Sequence, residues 1–104
     1  MSTELARSFN LSETIQAVAP GTTQTITTSG SSAAISTAFA SGSTVARIVT
    51  TEDCHIKFAS SPTATTSDTF LPAKQVEYFK ITAGEKVAAI QSSTAGTVYV
   101  TEME

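Results

Sequence analysis

The chain has no tryptophan, one cysteine, one histidine and few charges, and each shortage removes a class of function. With Cys54 as the only thiol, no internal disulfide can form and the fold must stand on packing or association. With His55 as the only imidazole, the four nitrogen and sulfur ligands of a structural zinc site cannot be collected. Cys54 and His55 are neighbours, but successive strand residues face opposite ways, so they form no nucleophile and base. The pair reads instead as a small buried hydrophobe beside an exposed imidazole. Glu52-Asp53 and Asp68 lack the spacing of a calcium loop and read as turn acids that cap backbone. The five glycines are isolated turn residues, which excludes a phosphate cradle. Sugar sites lean on aromatic platforms, and Tyr78 and Tyr99 fall in strand patterns as core-edge aromatics with their hydroxyls in water. A carboxylate pair for glycoside chemistry stays open, since any two of the nine acids can meet in space.

Charge is scarce as well. Charged residues are 14% of the sequence, against about 25% in an ordinary soluble domain. Serine and threonine fill the gap, as in Thr22-Thr23-Gln24-Thr25-Ile26-Thr27-Thr28. Threonine is β-branched and suits a half-exposed pleated surface, so a sheet face can be solvated without Lys or Glu. A weakly charged surface is also cheap to desolvate against a protein partner. Net charge is −3 and the six cations, Arg7, Arg47, Lys57, Lys74, Lys80 and Lys86, are scattered. Counterion release needs clustered cations, so direct nucleic-acid binding is not expected. Long apolar runs are missing too: the start, Met1-Ser-Thr-Glu-Leu-Ala-Arg, has no signal-peptide core, and no stretch approaches the roughly 20 apolar residues that span a bilayer. The expectation is a cytoplasmic product, not a membrane protein, that is free to join an assembly elsewhere.

What the chain does have is period-2 alternation. Gln75 to Ile90 reads as two strand runs joined at Thr82-Ala83-Gly84-Glu85, which predicts a β-hairpin. Cys54-His55-Ile56-Lys57-Phe58 alternates most cleanly, with Cys54, Ile56 and Phe58 inward. Thr44 to Thr50 is apolar on both sides, as a strand inside a sandwich would be. Further strands are predicted at Thr14–Val18, Thr23–Thr28, Thr69–Leu71 and Thr97–Thr101, with Val98 and Val100 on one face and Tyr99 on the other. Ala19-Pro20-Gly21 reads as a turn, and Ala59 to Asp68 as the longest irregular stretch. Ser31 to Phe39 fits a helix through Ile35, Ala38 and Phe39, or a strand through Ala33, Ile35, Thr37 and Phe39; strand is favoured because its neighbours are strands. The sum is an all-β chain: a single-domain antiparallel β-sandwich, jelly-roll-like, with about eight short strands and turns every 8 to 12 residues. Residues 1–13 show no clean period and read as an N-terminal arm, leaving 14–104 as the β-sandwich domain.

From Arg47 onward the chain resembles a group of small structural proteins of tailed bacteriophages and prophages. The residues that carry it are Val45-Ala-Arg-Ile-Val, Cys54-His-Ile-Lys-Phe, Pro62-Thr-Ala-Thr-Thr-Ser-Asp, Leu71-Pro-Ala, Glu77-Tyr-Phe-Lys-Ile, Gly84-Glu-Lys-Val-Ala-Ala-Ile and Gly96-Thr-Val-Tyr-Val-Thr. They cover roughly the last sixty residues. The chain departs from glycine-rich relatives at Ala59, after the strand Phe, and at Lys74, after Leu-Pro-Ala. The resemblance implies a virion component, a capsid cement or decoration protein on the outer surface of the head, made in the host cytoplasm. It implies no enzymatic activity, no cofactor and no metal. Its implied partners are the major capsid protein, touched by an arm around Arg7, Phe9 and Leu11, and further copies of the chain, around a three-fold axis. A tail or fibre module that binds carbohydrate or a receptor is the alternative from another class, and a head-completion or tail subunit the alternative within the virion.

Overall fold

The computed structural model describes residues 19–103. Its regular structure is eight strands and no helix: β1 (Pro20–Thr27), β2 (Ala33–Ala34), β3 (Val45–Thr50), β4 (Cys54–Ala59), β5 (Thr69–Leu71), β6 (Glu77–Lys80), β7 (Lys86–Gln91) and β8 (Thr97–Met103). They form two four-stranded antiparallel sheets, sheet A in the order β1-β8-β3-β6 and sheet B in the order β2-β7-β4-β5. First therefore pairs with last, second with seventh, third with sixth and fourth with fifth. That is the nesting obtained when a long hairpin is rolled up, the jelly roll of two packed sheets. The all-β sandwich expected from the sequence is the fold observed.

Alternation places the core. Ala46, Ile48 and Thr50 of β3 and Val98 and Val100 of β8 point inward from sheet A. Cys54 and Ile56 of β4, Leu71 of β5, and Val87 and Ala89 of β7 face them from sheet B. Ile35, Phe39 and Ile81, from connections between strands, close the layer. Fully burying an aliphatic side chain of this size contributes about 1.5–3 kcal/mol. Phe58 is the middle ring of an aromatic group, 6.3 Å from Phe39 and 5.4 Å from Phe79 between centroids, and it ties both sheets to the Phe39 connection.

The predicted hairpin at Gln75 to Ile90 is not formed. Both of its strands exist, but β6 pairs with β3 in sheet A and β7 pairs with β4 and β2 in sheet B. The link between them is an arch from one sheet to the other: Ile81 is buried, Ile81 N–H donates to the Thr44 carbonyl at 3.1 Å, and Gly84 N–H to the Phe39 carbonyl at 2.9 Å. Gly84 sits at φ 87°, the left-handed region that glycine adopts without cost. Period 2 specifies a strand and its faces, but a five-residue link can equally turn back in one sheet or cross the roughly 10 Å to the other. Among the described strands, the one consecutive pair that shares a ladder is β4 with β5, joined through the Ala59 to Asp68 stretch.

Two other expectations change. Pro20 and Gly21 lie inside β1 rather than in a turn, at a register shift between Pro20 and Thr23 on the sheet edge, where a proline costs no ladder bond. Ser31 to Phe39 holds only the two-residue strand β2, and the rest is irregular, with Ile35 and Phe39 buried by the core rather than by a ladder. The predicted strand at Thr14–Val18 and the arm at 1–13 lie outside the described residues.

Candidate interaction surface

The side of sheet A that faces away from the core is built by the residues alternating with the buried ones. β3 contributes Val45, Arg47 and Val49, half-buried. Arg47 stands opposite Tyr78 of β6 on one side and Thr101 of β8 on the other, while Val49 stands opposite Tyr99. Tyr78 is 52% exposed and Tyr99 42%, the largest aromatic exposures on this sheet. By strand spacing they lie about 12 Å apart across β3. Lys80 opposite Val45 adds a second cation, and the β1 edge adds Thr23, Thr25 and Thr27. Thr23 and Thr101 share a hydrogen bond between their hydroxyls at 2.9 Å. No carboxylate is placed on this face by the four strands: Glu77 and Glu102 belong to the opposite alternation. The result is an aromatic and aliphatic face with two cations.

Sheet B carries a smaller patch. His55 lies opposite Phe70 of β5, the rings meeting edge to face at 5.4 Å between centroids, and Phe70 is 49% exposed. His55 Nδ1 lies 3.0 Å from the Asp68 carbonyl. The imidazole is thus held against the loop rather than free in solvent.

That loop, Ala59 to Asp68, is fastened at several points. Ala64 is buried and its N–H donates to Ser32 Oγ at 2.8 Å. Asp68 Oδ2 accepts from the Thr65 N–H at 2.7 Å and the Thr65 hydroxyl at 3.1 Å. Chiefly through the Thr65 N–H bond, the Asp68 carboxyl is held below the ordinary carboxylate range; burial opposes the shift, and the Thr65 hydroxyl, Lys57 and His55 add to it. Asp53 Oδ1 accepts the Ala73 N–H at 2.7 Å. Both acids therefore cap backbone groups, and among the described residues no three His, Cys, Asp or Glu side chains gather as a metal would require. Cys54 is buried in the core, on the face opposite His55. Burial pushes its thiol up, a Thr50 hydrogen bond opposes this, and the Asp53 carboxylate adds to it, so the thiolate that nucleophilic chemistry needs is disfavoured.

The cations are divided as well. Arg47 and Lys80 belong to the outer face of sheet A, Lys57 and Lys86 to that of sheet B, and Lys74 to the turn before β6. A phosphate backbone would meet no continuous basic strip on the described surface.

Arg7, Phe9 and Leu11, expected to touch the capsid, lie outside the described residues. The face around Tyr78 and Tyr99 was not legible as a surface, since both tyrosines read as core-edge aromatics. Its signal was the two-sided apolar character of Val45 to Val49: Ala46 and Ile48 fill the core, and Val45 and Val49 are its outward counterpart. No protein-family model, curated protein or solved structure matches the chain.

Proposed function

We propose that the chain is a non-enzymatic structural protein of a tailed-phage virion, a cement or decoration protein seated on the outside of the head. The single observation that carries this reading is the Leu71-Pro72-Ala73-Lys74 turn. Glycine-rich relatives in the group it resembles have glycine after Leu-Pro-Ala, and here Lys74 holds φ 62°, a backbone setting that favours glycine, with its N–H on the Thr50 carbonyl at 2.7 Å. The turn keeps the shape that a glycine would serve although the residue differs. At the other departure, Ala59 is the last residue of β4, opposite Lys86, and lends no such support.

A packaged head is under outward stress, and a ligand that binds only the assembled shell stabilises it by mass action. In this reading the sandwich bodies associate around a three-fold axis, and the arm around Arg7, Phe9 and Leu11 orders on the major capsid protein. Deleting residues 1–13 tests it. The truncated protein should keep its β-sheet circular dichroism and no longer sediment with undecorated heads; sedimentation equal to the full chain sinks the arm mechanism.

One observation favours a second reading, a glycan- or receptor-binding module of a phage tail. Tyr78 and Tyr99 are exposed on one face with Arg47 between their strands, and exposed aromatic rings with hydroxyl neighbours are platforms on which sugar rings stack. A glycan array together with labelled-particle microscopy separates the two: sugar binding and a tail position against none and a head position.

A further inference from the structure

The two sheets have four edge strands, β1, β6, β2 and β5, and three of them are poor templates for a further strand. β2 and β5 are two and three residues long, and β6 has four residues with Lys80 exposed at its end. Short edge strands and edge lysines are devices by which natural sheets avoid pairing with another chain. β1 lacks them. It has eight residues, its proline and register shift are confined to the Pro20 end, and residues 22–27 carry no charge.

The ladder fixes which backbone groups β1 leaves over. Thr28 stands opposite Gly96 when the β1–β8 register is continued by one residue, and its N–H donates to the Gly96 carbonyl at 2.9 Å. Hydrogen-bonded positions alternate along an antiparallel pair, so Ile26 and Gln24 turn their N–H and carbonyl groups toward β8. Thr23, Thr25 and Thr27 turn theirs to the open side. Thr51 N–H on the Thr97 carbonyl and Ile81 N–H on the Thr44 carbonyl carry the same alternation through β8, β3 and β6. Among the described residues, no backbone group bonds to this row of three donors and three acceptors. The run around Thr37 is held by the Gln24 side chain instead, and the three threonines are exposed.

We propose that β1 pairs antiparallel with β1 of a second copy about a two-fold axis at Thr25, joining the two A sheets into one of eight strands. The axis sets Thr25 opposite its own counterpart and Thr23 opposite Thr27 of the second copy, so the two rows exchange six N–H to carbonyl bonds and no group of either row is left over. Threonine meets threonine on the outer face, and Gln24 meets Ile26 on the inner one. A slip of one residue would turn inner faces outward, which pins this register. A second copy suits the edge because neither side brings charge to it. Arg47, two strands inward, would lie about 24 Å from its counterpart, five strand spacings and well beyond the screening length of about 8 Å. The pairing is independent of the decoration reading.

Sedimentation velocity of the full chain over a concentration series, with amide hydrogen exchange at both ends of the series, tests it. A monomer–dimer equilibrium is expected, with exchange at Thr23, Thr25 and Thr27 slowing severalfold as concentration rises while Gln24 and Ile26 stay protected throughout. T23K/T27K sets lysine against lysine at both outer positions and should weaken the dimer at least tenfold. T23K/T27E sets lysine against glutamate there and should dimerise at least as well as the unaltered chain. Both variants lose the hydroxyl bond to Thr101, so a folding defect would strike them alike, and circular dichroism checks the sheet. Equal dimerisation of the two variants overturns the proposal, as does a chain that stays monomeric or an oligomer that neither variant alters. Threonine amides protected at every dilution would assign the edge to another segment of the same chain and overturn it too. Full head binding by the chain lacking residues 1–13 would sink the arm mechanism and leave this pairing standing.

Discussion

Gln24 clasps the backbone of Thr37: its side-chain Nε2 donates to the Thr37 carbonyl at 2.8 Å, and its Oε1 accepts the Thr37 N–H at 3.0 Å. The amide thereby acts as one more rung of backbone, tying β1 of sheet A to the irregular run between β2 and β3. Gln24→Ala should lower unfolding free energy by about 1 kcal/mol, the low end for two bonds because the site is open to water. Gln24→Glu, which keeps the acceptor and loses the donor, should fall between. Urea unfolding with an unchanged slope is the measurement, and wild-type stability for the alanine variant would show the clasp to be idle.

Glu102 is buried, and its Oε1 accepts the Ser43 hydroxyl at 2.7 Å and the Ala40 N–H at 3.0 Å. It fastens the turn before β3 to the end of β8. Glu102→Ala strands those two donors and should cost about 2 kcal/mol, since a buried group left unsatisfied costs about 1–3 kcal/mol. Glu102→Gln keeps an acceptor oxygen and should cost less. Thermal unfolding of the two variants gives the order, and an equal loss for both would refute the bonding role.

At Lys74 the left-handed backbone costs about 1–2 kcal/mol, and glycine would remove that strain at an unfolded-state entropy cost of about 0.4–1 kcal/mol. Lys74→Gly should therefore stabilise by about 0.5 kcal/mol, and Lys74→Val, β-branched at positive φ, should destabilise. A loss of stability with glycine would mean that the lysine side chain contributes more than its backbone costs.

Asp68 sets the acid response of the β4–β5 loop. Its carboxyl is lowered in the folded state, so its contribution is fully present above the ordinary carboxylate range and is lost as pH falls through the lowered folded value. Stability followed from about pH 5 downward should fall less steeply in Asp68→Asn than in wild type, because the variant has no such proton to take up. Identical slopes would assign the acid sensitivity to other groups.

Faces were legible in the sequence and partners were not. The alternation of Cys54, Ile56 and Phe58 against His55 and Lys57 gave both the strand and its buried side, and Val98 and Val100 against Tyr99 did the same for β8. Nothing in Gln75 to Ile90 states whether its two runs pair together, because the pattern that turns Phe79 and Val87 inward is identical in one sheet or in two. The arch depends on distant events, the Phe39 carbonyl meeting Gly84 and the Thr44 carbonyl meeting Ile81. Gly96 was readable as a turn residue but not for its reason. A Cβ there would stand 2.7 Å from Thr51 Oγ1 and 2.9 Å from Glu52 Cβ, so the turn requires glycine for space. The aromatic face was hidden because an outward tyrosine and a core-edge tyrosine share one sequence pattern.

The pairing of Pro20 with Met103 has a kinetic meaning. β8 lies between β1 and β3, so the middle of sheet A is empty until that strand has been synthesised, and Ile26 and Ile48 have no completed layer to enter before then. Closing a ladder between residues so far apart in sequence carries its loop entropy first and its contacts afterwards, which makes such a chain a slow folder that assembles after translation rather than along with it.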